Sequence, residues 1–555
     1  MPAASTRRWR VPSVFGPRTF SIGAVLIALP IAVPIVAILL TFLTPASPVW
    51  AHLAETVLWG YVVNTLQLLV LVAAISGLLG VGCAWLVATR SFPGRGLFLW
   101  ALILPFAAPA YVVAYAYGDL LAFTSPLQTW LRDTGLLAEG LPAIRSLPGA
   151  AMMLGLTLYP YVYLFAYTAF AEQARPLAEA ARTLGASPRR AFFSVALPHA
   201  RPAIAGGMAL ALMEAAADFG VVNFYGVATL TNGIFRTWYA QGEHQAAMQL
   251  AGWLFVMVAG LVVLEQYARR GSHANPVARN QPPVRQRLHG LGGWLACLAC
   301  ALPLTLGFLL PGGVLLAHAL ETGDPLLGSR FVGYIGNSVT VGAIAALLAT
   351  ACALWLTYAV RLGQGRSKTL RFSLRLATLG YAIPGMVLAV GLIGPLTTLD
   401  KWLAGLLAEL FDIRTGLLLT GSMAALMFVY LARFLTVAYN SCEGGMARIH
   451  NNYDRAARSL GATPGQLLSR VHVPIMSPAL MTAMLMVFVD VIKELPATLI
   501  LRPFNFETLA TRTYRLASDE RIAEASTAAL LIVVVGLVPV LLVAWQNFGR
   551  RPRPA

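Results

Sequence analysis

Residues 177–204 read "LAEAARTLGASPRRAFFSVALPHARPAI" and form a polar segment between two long apolar runs. A similar segment, "YDRAARSLGATPGQLLSRVHVPIMSPAL", occupies residues 453–480. The two match at an offset of 276 residues, so that Gly185 aligns with Gly461. A repeat at equivalent places along a chain indicates an internal duplication, and each half is then one copy of a common unit.

The apolar runs predict an all-α polytopic membrane protein. The mean hydropathy is +0.70 and only 11% of the residues are charged, whereas soluble domains carry about 25%. Runs of about 20 apolar residues suffice to cross a hydrocarbon core about 30 Å thick. They predict about twelve spans, six in each half, near residues 22–43, 62–88, 97–118, 148–171, 202–224, 246–268, 291–318, 336–360, 374–397, 416–440, 476–499 and 527–547.

The spans divide the chain into five parts. These are an N-terminal segment (1–21), a first transmembrane half (22–268), a basic linker (269–290), a second transmembrane half (291–547) and a C-terminal tail (548–555). Because each half holds an even number of spans, both halves insert the same way up. The sequence therefore predicts two parallel six-helix repeats related by an axis along the membrane normal.

The net charge of +17 indicates membrane topology rather than a nucleic-acid partner, since no soluble basic domain is present to bind one. With the N-terminus inside, Lys and Arg are roughly three times as frequent in the cytoplasmic segments as in the outer ones, as the positive-inside rule requires. We therefore expect both termini, and both repeated segments, to be cytoplasmic.

Each repeated segment predicts two short helices. A glycine in the left-handed conformation ends the first helix, and a capping residue followed by proline begins the second. An apolar residue followed by proline is then expected to end the second helix before the chain re-enters the membrane. The paired positions are Gly185 and Gly461, Ser187-Pro188 and Thr463-Pro464, and Leu197-Pro198 and Val473-Pro474. Amphipathic helices can simply rest on lipid, but the repetition of these positions favours docking of a two-fold cytosolic partner.

This pattern resembles the EAA loop in permease subunits of bacterial ATP-binding-cassette importers. The matching residues are Glu179, Ala180, Ala181, Gly185, Leu197 and Pro198 in the first copy, and Arg455, Ala456, Ala457, Gly461, Val473 and Pro474 in the second. In that family the loop is a coupling helix that sits in a cleft of the ATPase subunit. Since Arg455 replaces the glutamate, the resemblance implies two docking sites that are not equivalent.

The resemblance implies further partners and a fold. The chain contains no G-x-x-x-x-G-K-[ST] sequence, so two copies of a separate ATPase are expected to use ATP and Mg, and this chain itself is expected to bind no cofactor and not to be an enzyme. A periplasmic substrate-binding protein, the bacterial inner membrane and the type I importer fold are implied in the same way.

Ionisable residues inside the spans that follow each segment are candidate transport residues, because charges are costly in a bilayer. Glu214 and Asp218 lie four residues apart on one helix face and align with Asp490 and Glu494, while Lys493 has no charged counterpart. Three interpretations remain open: a salt-bridged gate, the lining of a transport cavity, and direct ligation of a metal. Oxygen ligands suit hard cations, but no metal ligand is assigned.

Residues 493–526 resemble the fused permeases of ferric-iron importers, which implies iron(III) as substrate. Related permeases carry thiamine, phosphonate or other small solutes, so these remain alternatives. In the predicted outer segments Arg236 aligns with Arg512. These arginines are expected to dock an acidic patch of the binding protein, to guide an anionic iron complex, or to pair with acidic residues of their own loop.

Two other classes of protein are consistent with the apolar spans. An ion-coupled secondary transporter could use the intramembrane carboxylates as cation sites, but it would not need the twin cytoplasmic loops. A structural membrane scaffold would not need ionisable residues within its spans. The repeated loops therefore favour the importer permease.

Overall fold

The computed structural model describes residues 17–44, 48–137, 139–171, 181, 183–269, 286–325, 328–363 and 367–548. These residues are overwhelmingly helical, and the one ladder among them is a two-residue parallel pair, β1 (Arg90–Ser91) with β2 (Gln286–Arg287). The helices of the first half are α1 (Pro17–Thr41), α2 (Pro48–Thr56), α3 (Leu58–Thr89), α4 (Arg95–Ala101), α5 (Ala110–Leu120), α6 (Pro126–Asp133), α7 (Leu147–Ala169), α8 (Pro188–Ala191), α9 (Leu197–Ala217), α10 (Gly220–Phe224), α11 (Leu230–Tyr239) and α12 (His244–Arg269). Those of the second half are α13 (Leu291–Leu304), α14 (Leu310–Glu321), α15 (Ser329–Leu362), α16 (Lys368–Thr378), α17 (Gly385–Phe411), α18 (Met423–Ala447), α19 (Asn451–Ser459), α20 (Pro464–Leu467), α21 (Val473–Ile492), α22 (Pro496–Leu501), α23 (Leu509–Ser518) and α24 (Ile522–Phe548).

The described residues include ten helices long and apolar enough to cross a membrane, or eleven if one bent pair counts as a single span. This confirms the all-α polytopic class, with a count slightly below the expected twelve. The bent pair joins Arg95–Ala107 to Ala110–Leu120 at 89°, where Pro109 cannot continue a helix. The predicted span at 202–224 is outside the ten because α9, although 21 residues long, is rich in alanine and contains Arg201 and Glu214, so it is not apolar enough.

Helix α21 ends at Ile492, and the short α22 follows from Pro496. The predicted span at 476–499 is therefore broken at the position that is equivalent to the end of α9. Since both repeats contain this break, it belongs to the duplicated unit.

The chain forms two compact units whose boundaries differ from those of the sequence halves. One combines residues 1–33, 343–381 and 430–488, and the other combines 34–342, 382–429 and 489–555. Each unit therefore contains segments from both halves, so the duplicated sequence does not fold as two separate bodies in chain order.

The first unit is closed by aromatic packing between the start of α1 and helix α15. The ring of Phe20 lies 4.5 Å from that of Trp355 and 4.9 Å from that of Tyr358. The indole N–H of Trp355 donates to the carbonyl of Phe20 at 3.1 Å. A Cβ on Gly23 would lie 2.4 Å from Nε1 of Trp355, so glycine is required for this close approach.

In the second unit, small residues bring long helices together. A Cβ on Gly207 of α9 would lie 2.7 Å from the carbonyl oxygen of Tyr161 in α7, and one on Gly80 of α3 would lie 2.7 Å from Cβ of Val162. Close backbone approach at glycine is how apolar spans pack without a hydrophobic driving force between them. Helices α3, α7 and α9 therefore form a tight group that carries the first repeated segment.

The repeated segments have the same backbone turn. The glycine adopts a left-handed conformation, with φ of +90° at Gly185 and +85° at Gly461. The next amide donates to the carbonyl five residues earlier, from Ala186 to Ala181 and from Ala462 to Ala457, both at 3.0 Å. This is the helix-ending glycine motif, and it confirms the predicted left-handed glycines.

The predicted helix ends at Leu197-Pro198 and Val473-Pro474 are wrong. In both copies a π-helical turn continues the chain directly into the following long helix, through Phe192–Ala196 into α9 and through Leu468–His472 into α21. Proline lacks an amide hydrogen and clashes with the carbonyl four residues before it. The wider π turn accommodates the proline, and therefore each segment is joined to its span without a break.

Candidate coupling loops and translocation site

Each repeated segment presents one leucine at its tip. Leu184 is 90% exposed and Leu460 is 88% exposed, and the two are equivalent at the offset of 276. Both directly precede the left-handed glycine. Because the exposed leucine recurs at equivalent places in the two segments, the two tips are candidate contacts for a partner. Of the EAA-type residues, Ala181 is described, whereas Glu179 and Ala180 lie outside the described residues.

The second short helix of each segment is capped as predicted. The amide of Arg190 donates to Oγ of Ser187 at 3.3 Å. In the other copy the Gln466 amide donates to Thr463 Oγ1 at 3.4 Å, and the Thr463 amide donates back to Gln466 Oε1 at 3.0 Å. This reciprocal pair is a capping box, so the second copy has the more firmly fixed turn.

The second segment also contains a buried polar cluster that sequence reasoning missed. Asp454 of α19 accepts hydrogen bonds from Nε of Arg361 and from Nε2 of His472, both at 2.9 Å. The hydroxyl of Tyr358 donates to the carbonyl of Pro464 at 2.6 Å. The cluster therefore ties the second loop to the end of α15 and to the π turn before α21.

Burial raises the pKa of the Asp454 carboxyl, but the hydrogen bonds from Arg361 and His472 outweigh burial and hold that pKa below its ordinary value. His472 aligns with Ala196, so the first copy lacks this cluster. The sequence signal for this cluster was that Asp454 and His472 have no charged counterpart at the matching positions of the first segment.

The carboxylates of Asp218 and Glu494 have equivalent positions at the two helix breaks. The Asp218 carboxylate accepts the amide of Val221 at 2.9 Å, and the Glu494 carboxylate accepts the amide of Ala497 at 3.2 Å. In each case the amide lies three residues on, at the start of the short helix. Both carboxylates therefore stabilise the N-terminus of a short helix that follows a broken span.

The remaining charged residues of this group are partly buried. Nζ of Lys493 lies 2.8 Å from Oδ1 of Asp490, three residues earlier in the chain, so these two side chains neutralise each other locally. Glu214 is half-buried. Among the residues that the structure describes, no group of three or more His, Cys, Asp or Glu side chains could hold a metal ion.

Beyond the breaks, residues from the two sequence repeats are joined by hydrogen bonds within the second unit. Nδ2 of Asn223 donates to Oη of Tyr514 at 2.9 Å, and Oη of Tyr239 donates to the carbonyl of Leu499 at 2.6 Å. Asn223 and Leu499 are equivalent at the offset of 276, and Tyr514 aligns with the neighbour of Tyr239. The two bonds are therefore related by the duplication and close the repeats on each other.

An exposed ion pair adds to this closure. Both guanidinium nitrogens of Arg145 contact the carboxylate of Glu520, at 2.6 and 2.7 Å. The hydrogen bonds from Arg145 lower the pKa of Glu520. Arg145 also lies over the ring of Phe224, 4.6 Å from its centroid.

The two arginines predicted to dock the binding protein differ. Arg236 is exposed. Arg512 is only 4% exposed and bonds Asp324 through two nitrogens, at 2.8 and 3.1 Å. The docking interpretation of Arg512 is corrected, because a buried and paired guanidinium is not available to a partner. Of the loop arginines, Arg502 and Arg515 pair with Glu507, and Arg521 pairs with Glu524.

Comparison with protein families identifies this arrangement. Residues 76–268 and 362–552 each match the family described as the binding-protein-dependent transport system inner membrane component. The chain belongs to this family of transport permeases. Because one match falls in each half, the internal duplication is confirmed.

The permease resembles several known permeases. It is 25% identical to an Fe(3+)-transport system permease protein of Haemophilus influenzae over 87% of this chain and 89% of that protein. It is 25% identical to a permease named for 2-aminoethylphosphonate transport in Salmonella typhimurium, over 44% of this chain and 83% of that protein. It is 28% identical to the sulfate transport system permease protein of Escherichia coli, over 37% of this chain and 74% of that protein.

The family places this permease among the membrane subunits of ATP-binding-cassette transporters, not among enzymes. Proteins of this family take part in transport that depends on a binding protein. Membership, together with the apolar helices, also makes the chain a multi-pass protein of the inner membrane. Neither the scaffold nor the ion-coupled secondary transporter agrees with this membership.

Proposed function

We propose that the permease carries iron(III), delivered by a periplasmic binding protein, in an importer driven by ATP hydrolysis. The observation that carries this proposal is the length of the match to the Haemophilus influenzae Fe(3+) permease, which covers 87% of this chain. The phosphonate and sulfate permeases match 44% and 37% of it. A relative that shares both repeats is the better guide to the solute of a duplicated permease.

We further propose that two copies of a cytoplasmic ATPase dock on the two repeated segments and use ATP and Mg, while this chain binds no cofactor. The exposed Leu184 and Leu460 support this, because each is an apolar tip on a turn fixed by a glycine. The EAA-type residues in the two copies would form the contacts around these tips. The capping box and the Asp454 cluster make the second tip stiffer than the first, so the two sites would respond unequally to the same ATPase.

The proposed orientation places both termini and both repeated segments in the cytoplasm. The excess of Lys and Arg in these segments supports it. The short helices after each break then lie toward the periplasm, where the exposed Arg236 is the candidate contact for an acidic patch on the binding protein.

In this orientation Glu214, Asp218, Asp490, Lys493 and Glu494 lie on the translocation path or at its gate. The Asp490–Lys493 ion pair neutralises two charges three residues apart at the end of α21, which lowers the cost of placing them in the membrane. A cation on the path would compete with Lys493 for the Asp490 carboxylate.

The test is reconstitution of the permease with its cognate ATPase and binding protein in proteoliposomes. We expect ATP-dependent accumulation of iron(III) from the loaded binding protein, with no accumulation when the ATPase is omitted. Uptake of sulfate, a phosphonate or thiamine instead of iron would rule out iron(III) as the substrate. Uptake by the permease alone under a proton gradient would reject the ATP-driven mechanism.

A further inference from the structure

Two tyrosine hydroxyls on α5 are buried without a hydrogen-bond partner. Tyr111 is 4% exposed and Tyr115 is 1% exposed, and the described residues provide no partner for either Oη. Leaving a buried hydroxyl unsatisfied costs about 1–3 kcal/mol. Tyr117 on the same helix avoids this cost by donating to the carbonyl of Leu306 at 2.7 Å.

The second repeat shows that the fold does not need hydroxyls at these positions. Helix α5 follows Pro109 and helix α17 follows Pro384, with nearly the same backbone angles at the two prolines. Counting from them, Tyr111 aligns with Met386 and Tyr115 with Val390, which are both fully buried. Apolar side chains fill this layer in the second repeat, so the two phenols of the first repeat require another reason.

Tyr111 packs against the first of the two helix breaks. A Cβ on Gly220 would lie 2.4 Å from Cβ of Tyr111, which places this tyrosine directly against the chain two residues after Asp218. The carboxylates of Asp218 and Glu494 both lie within electrostatic range of the Tyr111 phenol, and Asp218 also acts on Tyr115. The two tyrosine rings are 5.7 Å apart.

The two phenols of the first repeat therefore lie beside its helix break, near enough to a carboxylate of each repeat to be influenced by its charge. Acidic residues alone would be explained by helix capping, since each accepts an amide hydrogen bond. The unpartnered phenols are not explained in this way, because they take part in no capping. A metal cation that is coordinated by oxygen atoms accounts for all four side chains together.

We propose that Tyr111, Tyr115, Asp218 and Glu494 form a transient site of oxygen ligands for trivalent iron on its way through the permease. This inference rests on the proposed function, and it names the residues that recognise the substrate. Hard cations take oxygen ligands, and iron in proteins accepts tyrosinate. One phenol releases its proton when the metal binds.

Charge balance makes this site selective. Two carboxylates and one phenolate neutralise the three positive charges of the ion, so the loaded site carries no net charge in the membrane interior. The second phenol, which keeps its proton, or a water oxygen completes the ligand set. An oxyanion such as sulfate meets two carboxylates and no compensating cation from the tyrosines, so the same four side chains oppose it.

The experiment uses the complete transporter, with iron(III) supplied as its nitrilotriacetate complex for binding and on the binding protein for uptake. The variants are Tyr111→Phe, Tyr115→Phe and the double variant. Tyr159→Phe is the matched control, because its hydroxyl is also buried without a partner but lies in a core with Cys83 and Cys300. Binding is read from the visible phenolate-to-iron(III) charge-transfer band, which does not depend on turnover.

We expect the wild type and Tyr159→Phe to show the band, and the double variant to lose it. Iron uptake should fall by roughly 10- to 100-fold in the double variant, the usual loss when a metal site is weakened. ATP hydrolysis stimulated by the binding protein should remain. A band that persists in the double variant, or iron uptake at the wild-type rate, overturns the site but leaves the proposed function intact. No ATP-dependent iron uptake by the wild type overturns both.

Discussion

Arg512 and Asp324 form a buried ion pair whose stability depends on both partners. The side chain of Arg512 is 5% exposed and that of Asp324 is fully buried. Removing one partner of such a pair leaves an uncompensated charge and costs about 3–5 kcal/mol. Asp324→Asn, which keeps the shape and removes the charge, should therefore lower the thermal unfolding temperature of the purified permease strongly.

Two further variants test this explanation. Glu524→Gln removes a pair whose arginine is 50% exposed, and it should change stability by no more than about 1 kcal/mol. Replacing Arg512 by Met in the Asp324→Asn background should recover part of the loss, because an apolar side chain leaves no buried charge. If Asp324→Asn unfolds at the wild-type temperature, the pair has no structural role.

Asp454 makes the second repeated segment sensitive to acid. Its pKa is lowered in the folded protein, so its ionised form stabilises the fold above the ordinary value of about 3.9. That contribution is lost as the pH falls through the lowered pKa. Asp454→Asn should unfold at a lower temperature than the wild type near neutral pH, and the difference should shrink below about pH 4.

The measurement is the unfolding temperature of both proteins across this pH range in one detergent. Asp519→Asn, at an exposed site, should follow the wild type throughout. A difference that stays constant down to the lowest pH would show that Asp454 acts through packing rather than through its charge.

At the scale of elements, the exposed leucines at the tips of the repeated segments allow a prediction about assembly of the permease with its ATPase. Leu460→Ser changes a side chain that is 88% exposed, so the permease should fold normally. If the ATPase covers this tip, the loss of a buried leucine should weaken ATPase binding by about 1.5–3 kcal/mol. Binding of the cognate ATPase to permease in nanodiscs measures this directly.

Phe504→Ser is the matched control, because Phe504 is 92% exposed but lies in a loop predicted to face the periplasm. It should leave ATPase binding unchanged. Equal weakening by both variants would contradict the assignment of the tip, and Leu184→Ser should weaken binding at the first site in the same way.

The structure also shows which elements a sequence determines locally. The left-handed Gly185 and Gly461 and the caps at Ser187 and Thr463 were predicted because each depends on a few neighbouring residues. The π turns were not predicted, since a Leu-Pro pair is compatible with either a helix end or a wider turn.

Contacts between distant segments were equally hidden from sequence reasoning. Arg236 and Arg512 look alike in the alignment of the repeats, but only Arg512 meets an aspartate, 188 residues away along the chain. The unpartnered hydroxyls on α5 became visible only when the three-dimensional partners of each tyrosine were known. Duplication therefore predicts the shared backbone, while the asymmetric contacts that distinguish the copies depend on long-range packing.

At the scale of the whole molecule, we expect the path of the proposed transporter to open where the two repeats touch within the second unit. The hydrogen bonds from Asn223 to Tyr514 and from Tyr239 to Leu499 hold the short helices of the repeats together. Each is worth about 0.5–1.5 kcal/mol. Removing both hydroxyls by Tyr239→Phe and Tyr514→Phe should therefore shift the equilibrium toward the separated state by roughly 5- to 150-fold.

Spin labels at the exposed positions 241 and 505, in a cysteine-free background, measure this shift in nanodiscs. Without ATP or binding protein, the double variant should show longer distances between the labels. The labelled protein that keeps both tyrosines should show shorter ones under the same conditions. Tyr225→Phe removes a hydrogen bond within the first repeat, to the carbonyl of Ala114 at 3.1 Å, and should leave the distances unchanged. If the double variant keeps the short distances, the two hydrogen bonds do not hold the closure, and the exposed Arg145–Glu520 pair becomes the next contact to remove.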